Sequence, residues 1–243
     1  MSLLCITAHP DDEAGNFGGT LALYGRRGVS TAVICLTAGA AARHRGHARS
    51  GDELKAIRRD EFAASCRRLG VQHSEILDYG DGQLAGADIQ QVTGDLVVRI
   101  RRLRPQVVLT FGPEGGVTAH PDHAMAGIFA SLAFQWAGRR DRYAGQFEAG
   151  LEPHRAQKLY YSTGLITIEG RQPVAQAPVT LSIDISAVLD VKLLAFQDHK
   201  TQAPLFPIFE EAVRRHGGFE HWHLAACADP QLAREENDLF DGV

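Results

Sequence analysis

Short apolar runs of strand length alternate with helix-length stretches through the first half of this chain, and that alternation constrains the fold more than any other feature. Residues 2–7 and 29–37 form two such runs, and residues 106–111 a third, with a shorter one at 75–77. Between them lie helical stretches over 16–27, closed by Gly28, and over a long segment that Asp52 can cap, which runs to Leu69 and is stopped by Gly70. A further helix spans 88–103, with Pro105 just beyond it, and another follows His120 through Phe134. Strands that alternate with helices predict a parallel sheet covered on both faces. In such sheets, ligands sit beyond the carboxyl ends of the strands, where loops run into helices.

The fold class read from this pattern is α/β: a Rossmann-like, mostly parallel sheet with helices on both faces and a C-terminal extension. From about residue 139 the pattern changes. Strand-like runs at 159–162, 165–169 and 179–183 are separated by Gly and Pro, and 185–197 reads as a helix carrying Lys192. The expectation is one domain over 1–243, with a core at 1–135 and an extension and cap at 136–243. The segment 40–52, rich in Ala, Arg, His and Gly, has little periodicity and reads as a mobile loop.

Composition narrows the function. The chain has 243 residues, 44% apolar and 22% charged, which is ordinary for a globular protein with a sizeable core. With 25 basic against 29 acidic residues the net charge is −4, so no global basic footprint invites nucleic acid. The apolar runs are far too short for a membrane span, and no basic-then-apolar leader opens the chain. Cys5, Cys35, Cys66 and Cys227 are scattered without a paired spacing, which reads as a reduced, cytoplasmic protein. Eleven histidines are many, and they direct attention to a metal or acid–base site.

Two clusters carry that chemistry. His9-Pro10-Asp11-Asp12-Glu13 follows the first strand, and His120-Pro121-Asp122-His123 follows the strand at 106–111. His9 and Asp12 lie three residues apart, so one turn brings an imidazole and a carboxylate together, the donor mix zinc favours. Asp11, between them, can take a proton from water on the open side. One histidine of the second cluster completes a three-ligand catalytic site; the spacing does not choose between His120 and His123. The other can hydrogen-bond a developing oxyanion or protonate a leaving amine. One such loop alone is often only a turn, because Asp and Pro favour turns. Two at strand ends of one sheet are hard to ascribe to coincidence.

The run Ala8-His9-Pro10-Asp11-Asp12-Glu13, followed by Gly18-Gly19-Thr20 and later by His120-Pro121-Asp122-His123, resembles the LmbE-like, or PIG-L, family of metal-dependent N-deacetylases. Thr37-Ala38-Gly39, Arg58 with Glu61, Asp81, Lys192 and His199-Lys200-Thr201-Gln202 are softer matches. Ala40 departs from the pattern, since family members often carry Glu after the Thr-x-Gly turn. The resemblance implies His9, Asp12 and His123 as metal ligands, Asp11 as general base, and His120 as the group that stabilises the oxyanion and protonates the amine. It implies that Asp122 orients His120, and that Arg58, Asp81, Lys192 and His199 contact substrate. It implies Zn²⁺, with Fe²⁺ as the alternative ion.

The reaction so implied is removal of an N-acetyl group from an N-acetylglucosamine-type conjugate, such as a thiol-sugar precursor or a glycolipid. The alternatives are an amidase acting on larger thiol-sugar S-conjugates, and, in another class, a nucleotide- or sugar-binding module without hydrolysis. Gly18-Gly19 lacks the dinucleotide-binding glycine pattern. The expected partner is a small amino-sugar conjugate, with no nucleic acid and no membrane span, and self-association into a homo-oligomer is left open. His44 and His47 read as solvated loop side chains, and His221 and His223, flanking Trp222, as packing or a subunit contact.

Overall fold

A computed structural model describes residues 1–164, 172–215, 218–229 and 236–243. In chain order the elements are β1 (Ser2–Thr7), α1 (Asp12–Gly15), α2 (Gly18–Arg26), β2 (Ser30–Thr37), α3 (Gly51–Arg68), β3 (His73–Tyr79), α4 (Ile89–Leu103) and β4 (Val107–Phe111). The second half adds α5 (Pro121–Ala137), α6 (Gly145–Glu148), β5 (Lys158–Thr163), β6 (Leu181–Asp184), α7 (Leu189–Gln197), α8 (Phe206–Arg215) and β7 (Phe219–Cys227). The strands form one seven-stranded sheet in the order β3-β2-β1-β4-β5-β7-β6. Pairing is parallel from β3 through β5 and antiparallel at β5–β7 and β7–β6.

β1, β2 and β4 are buried almost residue by residue, not at alternate positions. That pattern requires cover on both faces, which is why these segments read as continuous apolar runs. The helices pack in two groups, α4 with α5, and α2 and α3 with α7. The segment after residue 136 adds three strands to the same sheet. No helix among the described residues is long and apolar enough to cross a membrane.

Several elements differ from the sequence reading. The helix expected over 16–27 starts later, as α2 at Gly18; the short α1 forms before it within the first cluster, and Phe17, non-helical and fully buried, separates the two. α2 then starts on two glycines because space demands it: a Cβ on Gly19 would lie 2.4 Å from Ile185 Cδ1. The backbone N–H groups of Gly19 and Thr20 donate to the Glu220 carboxylate at 2.8 and 2.7 Å, which satisfies the helix start from β7. α3 is capped by Ser50, not Asp52; Ser50 Oγ accepts the Glu53 N–H at 3.1 Å. β3 extends beyond the 75–77 run, so Asp78 and Tyr79 belong to the strand.

β7 and α8 were not read from the sequence. β7 hides because Glu220, at a core-facing position beside the buried Trp222, breaks the apolar alternation. The strand expected at 165–169 lies outside the described residues. The loop expected over 40–52 ends earlier, at Ser50, because Gly51 and Asp52 already belong to α3, and its Ala41 N–H is tied down by Asp81 Oδ2 at 2.7 Å.

One close approach sets the site's frame. A Cβ on Gly127 of α5 would lie 2.3 Å from the Phe111 carbonyl oxygen at the end of β4. Glycine at that position lets α5 lie directly against the strand end, so the first turn of α5 faces the carboxyl edge of the sheet.

Candidate active site

β1 delivers the first cluster. Asp11 caps α1 with φ 110°, a left-handed conformation that a non-glycine residue adopts at a cost of about 1–3 kcal/mol. The surroundings hold it there. Its N–H donates to Glu13 Oε2 at 3.0 Å, and Glu13 Oε1 accepts from Ser65 Oγ and meets His199 Nε2, both at 2.6 Å. Its carboxylate pairs with Arg58 Nη2 at 2.9 Å. The same guanidinium donates to the Pro10 and Gly39 carbonyls. Burial pushes the Asp11 carboxyl above its ordinary range, against the opposing pull of Arg58.

Asp12 is aimed by the backbone. Its Oδ2 accepts the Ala8 and His9 N–H groups at 3.1 and 2.8 Å, leaving Oδ1 to face His123 Nε2 at 3.1 Å. Burial opposes its ionisation, but His123 and His9 outweigh that and hold the carboxyl well below its usual range.

β4 and α5 deliver the second cluster. His120 is the N-cap of α5, Pro121 opens the helix and Asp122 lies in its first turn. His120 Nδ1 accepts the Asp122 backbone N–H at 3.1 Å. With that nitrogen accepting, the proton of the neutral ring sits on Nε2. Burial, followed by the charges of His9 and His123, lowers the His120 pKa. His123 stacks on Phe111, with centroids 4.1 Å apart and planes at 7°, and Phe111 in turn meets Phe17 edge-on.

The two clusters meet. Ring centroids of His9 and His120 are 4.8 Å apart, those of His120 and His123 4.9 Å, and those of His9 and His123 5.3 Å. His9 Nε2 lies 3.1 Å from Asp81 Oδ1 and 3.2 Å from Asp122 Oδ2, while its Nδ1 is 3.7 Å from Asp12 Oδ2. Burial lowers the His9 pKa, but the Asp122 and Asp81 carboxylates overcome it and push it up to about 10. Three carboxylates therefore surround a position that demands positive charge. Among the described residues, ligand atoms within 4.8 Å of one another form two triples, His9/His120/His123 and His9/Asp81/Asp122, with Asp12 joined by its contacts to His123 and His9. Imidazoles with ionised carboxylates are a donor set suited to a divalent cation such as zinc.

Other residues singled out from the sequence have different surroundings than expected. The Asp122 carboxylate bonds His9 and the N–H groups of Gly82 and Leu84, not the His120 ring; it acts on His120 only through space, raising its pKa. Asp81, expected to contact substrate, meets His9 and the Ala41 N–H. Arg58 is buried against Asp11, and so is not presented to a ligand in bulk solvent. Lys192 is buried in an ion pair with Glu220 at 2.6 Å, and His199 is fully buried against Glu13. Neither is brought to the open face. Glu13 is the residue whose part the sequence left unread; its signal was its place inside the first cluster.

Residues 4–134 match the family model described as GlcNAc-PI de-N-acetylase, PIG-L. A 1D-myo-inositol 2-acetamido-2-deoxy-alpha-D-glucopyranoside deacetylase 2 from Catenulispora acidiphila is 32% identical, covering 100% of this chain and 97% of that protein. A diacetylchitobiose deacetylase from Thermococcus kodakarensis is 34% identical over 83% of this chain and 70% of its own length. In three dimensions the chain is similar to an N,N'-diacetylchitobiose deacetylase from Pyrococcus horikoshii, with a TM-score of 0.78 at 24% identity, covering 100% of this chain and 88% of that one. Two paired His-Pro-Asp turns on this sheet, the family match and the full-length similarity lead to one conclusion: the chain belongs to the PIG-L, GlcNAc-PI de-N-acetylase, family.

Proposed function

We propose that the chain is a metal-dependent N-deacetylase that hydrolyses the acetamide of an N-acetylglucosamine-type conjugate. His9, Asp12 and His123 are its metal ligands, Asp11 its general base and proton carrier, and His120 its oxyanion donor. The observation that carries this reading is the meeting of the two His-Pro-Asp turns, with Asp12 Oδ1 and His123 Nε2 3.1 Å apart across 111 residues of chain. The acetylated amino sugars named for the two sequence relatives support the substrate class.

A zinc or ferrous ion in this donor set supplies Lewis acidity, polarising an amide carbonyl and lowering the pKa of water, to about 7 for zinc. The remaining steps belong to side chains. Asp11 accepts the proton of the attacking water; its raised pKa brings it nearer neutrality, where a general base is most effective. Arg58 holds the carboxylate in place from behind. His120 presents Nε2–H to the amide oxygen as it becomes negative, a type of contact worth about 2.7–4 kcal/mol in acyl transfer. A neutral His120 keeps that proton, since giving it up would leave an imidazolate; the proton that Asp11 took from water passes to the departing nitrogen, so that an amine leaves and acetate remains. A cytoplasmic location accords with four free thiols.

The test is metal analysis of the purified protein joined to an acetate-release assay on N-acetylglucosaminides, with and without a chelator. The expected result is about one divalent ion per chain, release that stops on chelation, and recovery with added zinc or ferrous ion. Chelator-insensitive release, or none from any N-acetylglucosaminide, overturns the reading. Amine release from thiol-sugar S-conjugates alone reassigns the enzyme to the larger amide substrates.

A further inference from the structure

One buried side of α3 is polar. Arg58, Glu61 and Ser65 follow one another at spacings of three and four residues, which puts them on one side of the helix, and all three are buried. Burying such groups costs free energy unless each finds a partner. Arg58 meets the Asp11 carboxylate and the Pro10 and Gly39 carbonyls. A Cβ on Gly39 would lie 2.3 Å from Arg58 Nη1, so glycine at that turn leaves room for the guanidinium. Glu61 accepts the Thr201 N–H and Oγ1–H at 2.8 and 2.7 Å. Ser65 Oγ donates to Glu13 Oε1 at 2.6 Å, the oxygen that also accepts His199 Nε2–H at 2.6 Å. The turn after β1 and the turn after α7 are thus joined across one helix side, although Glu13 and His199 are 186 residues apart in the chain.

The Glu13 and His199 side chains are fully buried, so neither reaches substrate. Their contact leads to Asp11 instead. The second oxygen of Glu13, Oε2, accepts the Asp11 backbone N–H at 3.0 Å. Asp11 is therefore held twice, its side chain by Arg58 and its backbone by Glu13. The backbone hold bears on the strained φ of 110°, which persists only while the surroundings over-determine it. Asp12 has its own hold, the Ala8 and His9 N–H groups on Oδ2, and does not use Glu13. Contacts around Glu13 bear on the base more directly than on the metal ligands.

We propose that His199 is a positioning residue for the general base: with Ser65 it aims the Glu13 carboxylate at the Asp11 N–H, and so fixes where the Asp11 carboxylate meets the attacking water. The inference rests on the deacetylase reading and replaces the substrate contact that the resemblance implies for His199. Two donors on Oε1 and one on Oε2 hold the Glu13 carboxylate in a single orientation. With His199 removed, only the Ser65 hydroxyl remains on Oε1, and Glu13 is free to turn away from Asp11. A displacement of about 1 Å at a reacting group costs about 10²-fold in rate. The loss falls on kcat, since Asp11 acts on the water and does not bind the sugar.

The test compares wild type with His199→Leu, which has no donor, and with His199→Gln, whose carboxamide N–H still donates to Glu13. Each is measured for acetate release from an N-acetylglucosaminide, for bound metal by elemental analysis, and for exchange of the Asp11 amide hydrogen by NMR. In His199→Leu the expected kcat is lower by about 10²-fold, while KM stays within about twofold of wild type. Its metal content is unchanged, and its Asp11 amide exchanges about tenfold or more faster. His199→Gln recovers most of the kcat and of the amide protection. A raised KM at unchanged kcat returns His199 to the substrate and overturns the proposal. A fall in kcat that metal content follows overturns it too, as does one that glutamine leaves unrepaired. Should His199→Leu fail to fold, Ser65→Ala removes the other donor on the same oxygen. A smaller fall in kcat with faster Asp11 exchange then supports the proposal, and unchanged values overturn it. Amide exchange also separates this inference from the reading beneath it. No acetate release from any N-acetylglucosaminide, with Asp11 exchange still faster in His199→Leu, overturns the deacetylase reading and leaves the hold on Asp11 standing. Equal acetate release by wild type and His199→Leu, with Asp11 exchange unchanged, overturns the positioning role alone.

Discussion

Lys192→Met separates two explanations of a residue that the resemblance assigns to substrate and the fold buries. Lys192 Nζ lies 2.6 Å from Glu220 Oε1, and the two side chains are 7% and 5% exposed. Removing one partner of such a pair strands the other charge, at a cost of about 3–5 kcal/mol. Glu220 keeps two donors, the N–H groups of Gly19 and Thr20, so the lower end applies, about 3 kcal/mol. In a chain of this size each kcal/mol shifts Tm by roughly 2–4 °C, so the expected drop is about 6–12 °C. Urea unfolding followed by tryptophan fluorescence reads the loss, because Trp222 is buried two residues from Glu220. The midpoint falls with the slope unchanged, while KM for acetate release stays within about twofold of wild type, since no uniform substrate binding is removed. The double variant Lys192→Met/Glu220→Gln recovers much of the stability, because no unpaired charge remains. A loss below about 1 kcal/mol, the size of an exposed pair, accompanied by a raised KM, refutes the reasoning and returns Lys192 to the substrate.

Three other perturbations probe different links. Gly127→Ala forces α5 off the end of β4; it destabilises by about 1–3 kcal/mol in urea and weakens zinc binding in a titration, because His120 and His123 ride on the displaced helix, whereas unchanged affinity contradicts the framing role of that contact. Asp11→Asn keeps its metal by elemental analysis while acetate release falls about 10²–10⁴-fold, and a rate near wild type removes Asp11 from the role of base. Arg99 holds the Glu75 carboxyl below its ordinary value of 4.5, so the folded chain binds fewer protons than the unfolded one as acid is added. The stability gap between wild type and Glu75→Gln is therefore full near neutral pH and closes as pH falls through the lowered value; a gap unchanged down that range contradicts the pairing.

What could be read in advance follows from which forces are local. β1, β2 and β4 announce themselves because strands buried on both faces need unbroken apolar runs. The two His-Pro-Asp turns were visible because zinc-type donors and proline-fixed turns are short-range patterns. β7 was not visible, since its Glu220 satisfies the start of α2, about 200 residues away, and nothing local records that debt. The need for glycine at the second position of α2 has the same kind of origin, in Ile185 filling the space above Gly19. For Arg58, Lys192 and His199, a sequence does not say whether a charged side chain faces a ligand or a buried counter-charge. Nor does spacing tell that Asp122 reaches across to His9 while offering His120 only its backbone.

The adjacency of β1 and β4 carries a thermodynamic consequence. His9 and Asp12 leave the end of one strand, and His120 and His123 follow the other, so the parallel seam between these strands is also the seam of the proposed ligand set. The proposed ion, if held there, would be gripped from both sides and act as a noncovalent staple across the middle of the sheet. Its binding energy becomes resistance to unfolding, growing as RT ln(1 + [L]/Kd) with the free ion. Removing such an ion would then lower the resistance of the whole sheet to unfolding, by the same amount that the ion had added.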